Sequence, residues 1–84
     1  MKDLVVVTHA TYVSGHRLRL QFSDGVEKIV DFSRWLGGRV FEPLRDIAYF
    51  KGFFLSGGTV CWPNGADVAP ETLQQAKDQS ATAA

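Results

Sequence analysis

The side chains of this sequence that could do chemistry are few: His9, His16, the single cysteine Cys61, and the polar groups of Trp62-Pro63-Asn64-Gly65-Ala66-Asp67. A metal centre needs several converging ligands, and a nucleophile needs a base with an orienting partner. Neither histidine has a cysteine or paired carboxylates at ligand spacing, so neither is expected to serve a site. Cys61 stands in an apolar run beside Trp62, which predicts a buried, unreactive thiol. The serines lack nucleophile-elbow context, and Gly37-Gly38 and Gly57-Gly58 are lone pairs that turn closure explains without any phosphate loop. The expected inventory is no catalytic residue, no metal and no cofactor.

The Trp-Pro stretch admits two readings. In one, Trp62 plugs the core, Pro63 and Gly65 shape a turn, and Asn64 and Asp67 hydrogen-bond freed backbone groups ahead of a helix. In the other, the same residues present an aromatic ring and two polar groups beside a helix N-terminus, where an anion or a partner's backbone could be held. The fold-stabilising account carries more weight. Arg17, Arg19, Arg34, Arg39, Arg45 and Lys51 could gather on one side and, with Trp35 or Tyr49, contact nucleic acid or an acidic partner. Against this, nine basic and nine acidic side chains give zero formal net charge, and Glu27, Asp31, Glu42 and Asp46 lie close in sequence to the basic residues.

These residues must be positioned by a small fold. The 84 residues suit one domain, expected over 1–78, with a C-terminal tail at 79–84 that has nothing large to bury and should fray. Six Phe, two Trp and two Tyr supply the core, and 45% hydrophobic with 21% charged residues is ordinary globular usage. A lone cysteine excludes an intramolecular disulfide and suits the cytoplasm. The short apolar run Leu4 to Val7 is too brief for a signal segment or a membrane span.

Leu4 to Val13 is rich in β-branched and aromatic residues and reads as a strand, its apolar start suggesting burial on both faces. After Ser14-Gly15-His16, Arg17 to Phe22 alternates strictly, with Leu18, Leu20 and Phe22 on one face. The loop Ser23-Asp24-Gly25 fixes the next register. A three-residue loop with Gly25 left-handed puts Val26, Lys28 and Val30 with the apolar set, and sets Arg17 opposite Asp31 and Gln21 opposite Glu27. The Lys28 stem is then expected along the core with its amine in water.

Asp31 or Ser33 should cap a short turn near Trp35, and Pro43 suits the start of one or two helical turns through Ile47. A second hairpin is expected from Phe53 to Trp62 around Ser56-Gly57-Gly58, ended by Pro63. Pro70 and Glu71 open a C-terminal helix carrying Leu73, Ala76 and Lys77. The fold class is α+β: a small antiparallel sheet of two hairpins plus an N-terminal strand, short central helical turns and a C-terminal helix.

The order Leu18-Arg19-Leu20-Gln21-Phe22-Ser23-Asp24-Gly25, Val30-Asp31-Phe32, Phe41-Glu42-Pro43-Leu44-Arg45-Asp46, Phe50 and Trp62 through Leu73 resembles the small bacterial family known as domain of unknown function 2442. Its last segment, with Trp62, Pro63, Asn64, Gly65, Asp67 and Pro70, is the specific part. The resemblance implies a compact α+β domain with a helix after the Trp-Pro turn, and it brings no established activity. Some relatives carry an added helix-turn-helix domain, which hints at a regulatory or interaction role. These 84 residues hold no such second domain, so the resemblance implies no DNA binding. Ala69 stands where the family often has a capping serine, a loss of about 1 kcal/mol unless Asp67 substitutes. The function expected is therefore a small cytoplasmic interaction or regulatory module that binds a protein partner or itself. A nucleic-acid-associated role is the alternative, an enzyme or small-ligand binder the third, and no membrane partner is expected.

Overall fold

A computed structural model describes residues 5–79. Val7–Ser14 forms β1, Arg17–Phe22 β2 and Glu27–Asp31 β3, an antiparallel sheet in the order β1-β2-β3. Phe54–Ser56 and Thr59–Cys61 form β4 and β5, which pair as a two-stranded sheet of their own. Between β3 and β4 lie two 3-10 turns, Ser33–Trp35 and Glu42–Arg45, and the single turn of α1, Ile47–Phe50. The helix α2, Pro70–Gln75, follows the Trp-Pro turn. The class is α+β, as the sequence predicts, with the two hairpins in separate sheets.

The β2–β3 register follows from the loop between them. Phe22 N–H donates to Val26 O at 2.8 Å, leaving Ser23, Asp24 and Gly25 as a three-residue loop with Gly25 at φ +92°. Arg17 therefore faces Asp31, and Leu18 faces Val30. Leu18, Leu20, Phe22 and Val30 are buried; Val26, just outside β3, is 48% exposed because the strand has not yet reached the core there.

β1 corrects one expectation. Only Val7 is buried, Val5 and Val6 are half-buried, and most of the rest faces water, because β1 is an edge strand with register shifts between Val7 and His9 and between Tyr12 and Ser14. Leu4 lies outside the described residues.

Phe32 and Phe50 stand at the centre of the core. Phe32 meets Trp35, Phe50 and Trp62 at centroid distances of 5.3, 5.7 and 5.8 Å, and Phe50 also meets the edge of His16 at 5.0 Å. Edge-to-face pairs of this kind add stability beyond the area they bury. The core is completed by Leu36, Leu44, Val60, Ala66, Val68 and Leu73.

Lys28 departs from its expected exit to water. Its residue is only 9% exposed, and its amine donates to the carbonyls of Gln74 and of Ala76, the latter at 2.8 Å. A cation there satisfies carbonyls that the end of α2 leaves without helical partners. Burial lowers the pKa of this amine, and the nearby charges of Asp78 and Asp24 oppose that shift. The chain then folds back along β3: Ile29 N–H donates to Asp78 Oδ1 at 3.0 Å, and Gln79 N–H to Ile29 O at 2.8 Å. Residues 80–84 of the expected tail lie outside the described residues.

Candidate functional site

Cys61, Trp62 and the five residues that follow build a tight reversal. Trp62 N–H donates to Ala66 O at 2.9 Å, Gly65 N–H donates to Trp62 O at 3.0 Å, and Gly65 sits at φ +90°. Asn64 ties this turn to a distant loop: its Oδ1 accepts from Ala66 N–H at 3.0 Å while its Nδ2 donates to Val40 O at 2.8 Å. Pro63 is exposed in the turn, and Asp67 forms a single antiparallel bridge with Cys61. Trp62 itself is 1% exposed, with its indole N–H bonded to Phe50 O at 2.8 Å. The ring is core and cannot be offered to a ligand.

Asp67 does not cap α2. The N-cap position is Ala69, no side chain accepts from the first turn, and Pro70 opens the helix at a position where a missing N–H costs nothing. The Asp67 side chain instead lines an open groove of about 470 Å³ with Arg34, Trp35, Phe41, Val68 and Thr72. One wall is the loop that Asn64 holds through Val40, which supplies Gly37 and Phe41. The groove has one cation, one anion and an aromatic side.

The four residues expected to touch a partner do not converge on that groove. Trp35 lines it, half-buried against Phe32. Arg17 and Arg19 stand on the solvent side of β2 and meet carboxylates, Arg17 Nε at 3.7 Å from Asp31 and Arg19 at 3.9 Å from Glu27. Tyr49 packs half-buried against the core from α1. Burial alone would raise the Asp31 carboxyl, but Ser33, through its backbone N–H and hydroxyl, Arg17 and His16 together hold it below the usual carboxylate value. Asp31 thus caps the first 3-10 turn from two residues back, with Ser33 N–H at 2.9 Å from its Oδ1.

The remaining reactive types have structural jobs. His16 Nε2 lies 2.9 Å from Leu44 O and 3.2 Å from Arg45 O; carbonyls only accept, so this nitrogen carries the proton and donates. It staples the β1–β2 turn to the second 3-10 turn. His9 is exposed near Thr8. Burial, reinforced by the Asp67 charge, pushes the Cys61 thiol up and keeps it a poor nucleophile. Among the described residues, no group of three or more His, Cys, Asp or Glu side chains could hold a metal, and no helix is long and apolar enough to cross a membrane.

Two neighbouring large apolar side chains are exposed together on β4. All three of its residues face water, with Phe54 46% and Leu55 37% exposed. Gly57 and Gly58, at φ +60° and +81°, close the hairpin in two residues, so Ser56 and Thr59 form its hydrogen-bonded closing pair. The N–H and C=O of Leu55 then point away from β5, along an edge where no other described residue bonds them. Nothing in the residue pattern marks Phe54 and Leu55 as outside, since an apolar pair in a strand reads as core.

Residues 7–78 match the family described as protein of unknown function (DUF2442). The chain belongs to the DUF2442 family. The matched range of this DUF2442 domain begins at the first residue of β1 and ends at Asp78, the residue that reaches back to β3, so it takes in every described element. Comparison with curated proteins and with solved structures returned no match.

Proposed function

We propose that this DUF2442 domain is a non-enzymatic interaction or regulatory module of the cytoplasm that binds another protein chain or a second copy of itself. The observation that carries this reading is the open β4 edge. The fold bonds the backbone of Ile29 on β3 with Asp78 and Gln79, yet leaves Phe54 and Leu55 exposed, with the Leu55 N–H and C=O bonded by no other described residue. Unprotected edges accept a further strand, and native proteins usually blunt them with charge or proline. β4 carries neither.

Zero net charge leaves association of two copies unopposed by long-range repulsion. The nucleic-acid alternative is weakened by the carboxylates facing Arg17 and Arg19, which neutralise the cations it would use. Light scattering across a concentration series, paired with affinity capture from native lysate, tests the proposal. Self-association or capture that Leu55→Lys abolishes supports it. A clean monomer that retains no partner overturns it.

A further inference from the structure

The loop that closes the first hairpin and the Trp-Pro turn are one structure built twice. Phe22-Ser23-Asp24-Gly25-Val26 and Trp62-Pro63-Asn64-Gly65-Ala66 each carry a bond from the first N–H to the fifth carbonyl, at 2.8 and 2.9 Å. Each has a glycine N–H donating 3.0 Å back to the first carbonyl, and a glycine φ of +92° or +90°. In each the middle side chain accepts from the N–H two residues on, Val26 to Asp24 Oδ1 and Ala66 to Asn64 Oδ1, both at 3.0 Å. The middle residues differ in one group: Asn64 has an amide nitrogen, and that nitrogen donates to Val40 O at 2.8 Å.

We propose that Asn64 is a site of spontaneous amide-to-acid conversion, and that its conversion to aspartate releases the 37–41 loop while leaving the Trp-Pro turn in place. Gly65 has no Cβ to hinder its nitrogen. That nitrogen attacks Asn64 Cγ, the N–Cγ bond forms, and the Cγ–Nδ2 bond breaks. Ammonia leaves, carrying the proton that Gly65 gave up. Water then opens the five-membered imide at one carbonyl or the other, giving aspartate or isoaspartate.

In the folded turn this reaction is held back. The Gly65 N–H is engaged by Trp62 O and the Asn64 amide is fixed at both ends, so reaction proceeds through openings of the turn. The aspartate product keeps an oxygen for Ala66 N–H, and the Asp24 loop is the demonstration that aspartate builds this geometry. It has no donor for Val40, and a carboxylate beside that carbonyl repels it. The freed segment supplies Gly37 and Phe41 to the groove beside Asp67, so conversion loosens a groove wall and adds a negative charge near it. The isoaspartate product lengthens the backbone and disrupts the turn instead.

Two measurements test this. Protein held at mildly alkaline pH, natively and in urea, is digested and Asn64 conversion followed by mass spectrometry; the expected rate in urea is at least about tenfold the native rate. Equal rates, or no conversion in urea, overturn the site. The variant Asn64→Asp should fold with an unchanged near-ultraviolet tryptophan signal, while exchange of the Glu42 amide, which donates to Gly38 O across that loop, quickens by at least about tenfold. An unfolded variant, or unchanged exchange at that amide, overturns the release.

Discussion

The indole N–H of Trp62 donates to the backbone carbonyl of Phe50 at 2.8 Å, tying the residue that ends the second hairpin to the last residue of α1. The bond explains why a tryptophan, rather than any large apolar side chain, occupies this buried position. It fills the core and satisfies a carbonyl at a helix end that would otherwise be buried without a partner. Trp62→Phe keeps much of the ring but orphans that carbonyl, and should cost about 1–3 kcal/mol for the lost bond. Trp62→Ala should cost about 3–5 kcal/mol, a large part of the stability of so small a domain. Urea unfolding followed by circular dichroism measures both.

Lys28→Met retains an unbranched stem and removes the donor that meets Gln74 O and Ala76 O. The expected loss is about 1–3 kcal/mol, since bonds to a charged donor are the stronger kind. Hydrogen exchange should show the loss first in α2 and in the residues after it, whose position the amine fixes.

Asp31 gives the fold a pH dependence of defined sign. Its folded pKa lies below the usual carboxylate value, so the unfolded chain takes up its proton first as pH falls. The stability it contributes is complete above the unfolded value and is lost as pH drops through the folded one. Asp31→Asn should therefore lower stability at neutral pH and flatten the fall below about pH 4. Urea midpoints measured across that range check it.

Ala69→Ser supplies the missing side-chain acceptor at the start of α2, where Thr72 N–H is within the first turn. A gain of about 0.5–2 kcal/mol is expected, raising the melting temperature by about 4–8 °C for each kcal/mol gained. Differential scanning calorimetry reads it directly.

Gly57 and Gly58 should separate two effects that usually travel together. Both have positive φ, but a Cβ on Gly57 meets open space, whereas one on Gly58 would lie 2.8 Å from Val6 Cγ1. Gly57→Ala should cost about 1–2 kcal/mol from backbone strain alone. Gly58→Ala should cost about 1–3 kcal/mol more, because the hairpin tip must also back away from Val6. Thermal melts of the two variants give the difference.

Much of this architecture was legible because local rules and tertiary needs agree. Strict alternation from Arg17 to Phe22, with Asp24-Gly25 after it, fixes both the buried face and the register, so Arg17 meets Asp31 as expected. Pro43, Pro70 and the glycine pair at 57–58 mark helix starts and a turn by backbone chemistry alone. What stayed hidden depends on partners far away in sequence. Asn64 reaching Val40, Lys28 reaching Ala76 and His16 reaching Leu44 span 24, 48 and 28 residues, and no spacing rule announces them. The groove was half legible: Trp35 and Asp67 stood out as residue types, but Arg34 and Phe41 join them only through the path of the intervening loop.

The return of Asp78 and Gln79 along β3 bears on how assemblies of this chain can grow. A sheet open on two sides can add neighbours without end, which is how fibrils propagate. With Ile29 already bonded by its own chain, the three-stranded sheet offers at most the β1 side to a neighbour. Strand addition there, β1 against β1, would stop at a pair: a terminating junction rather than a growing one, set by two residues at the end of the described chain.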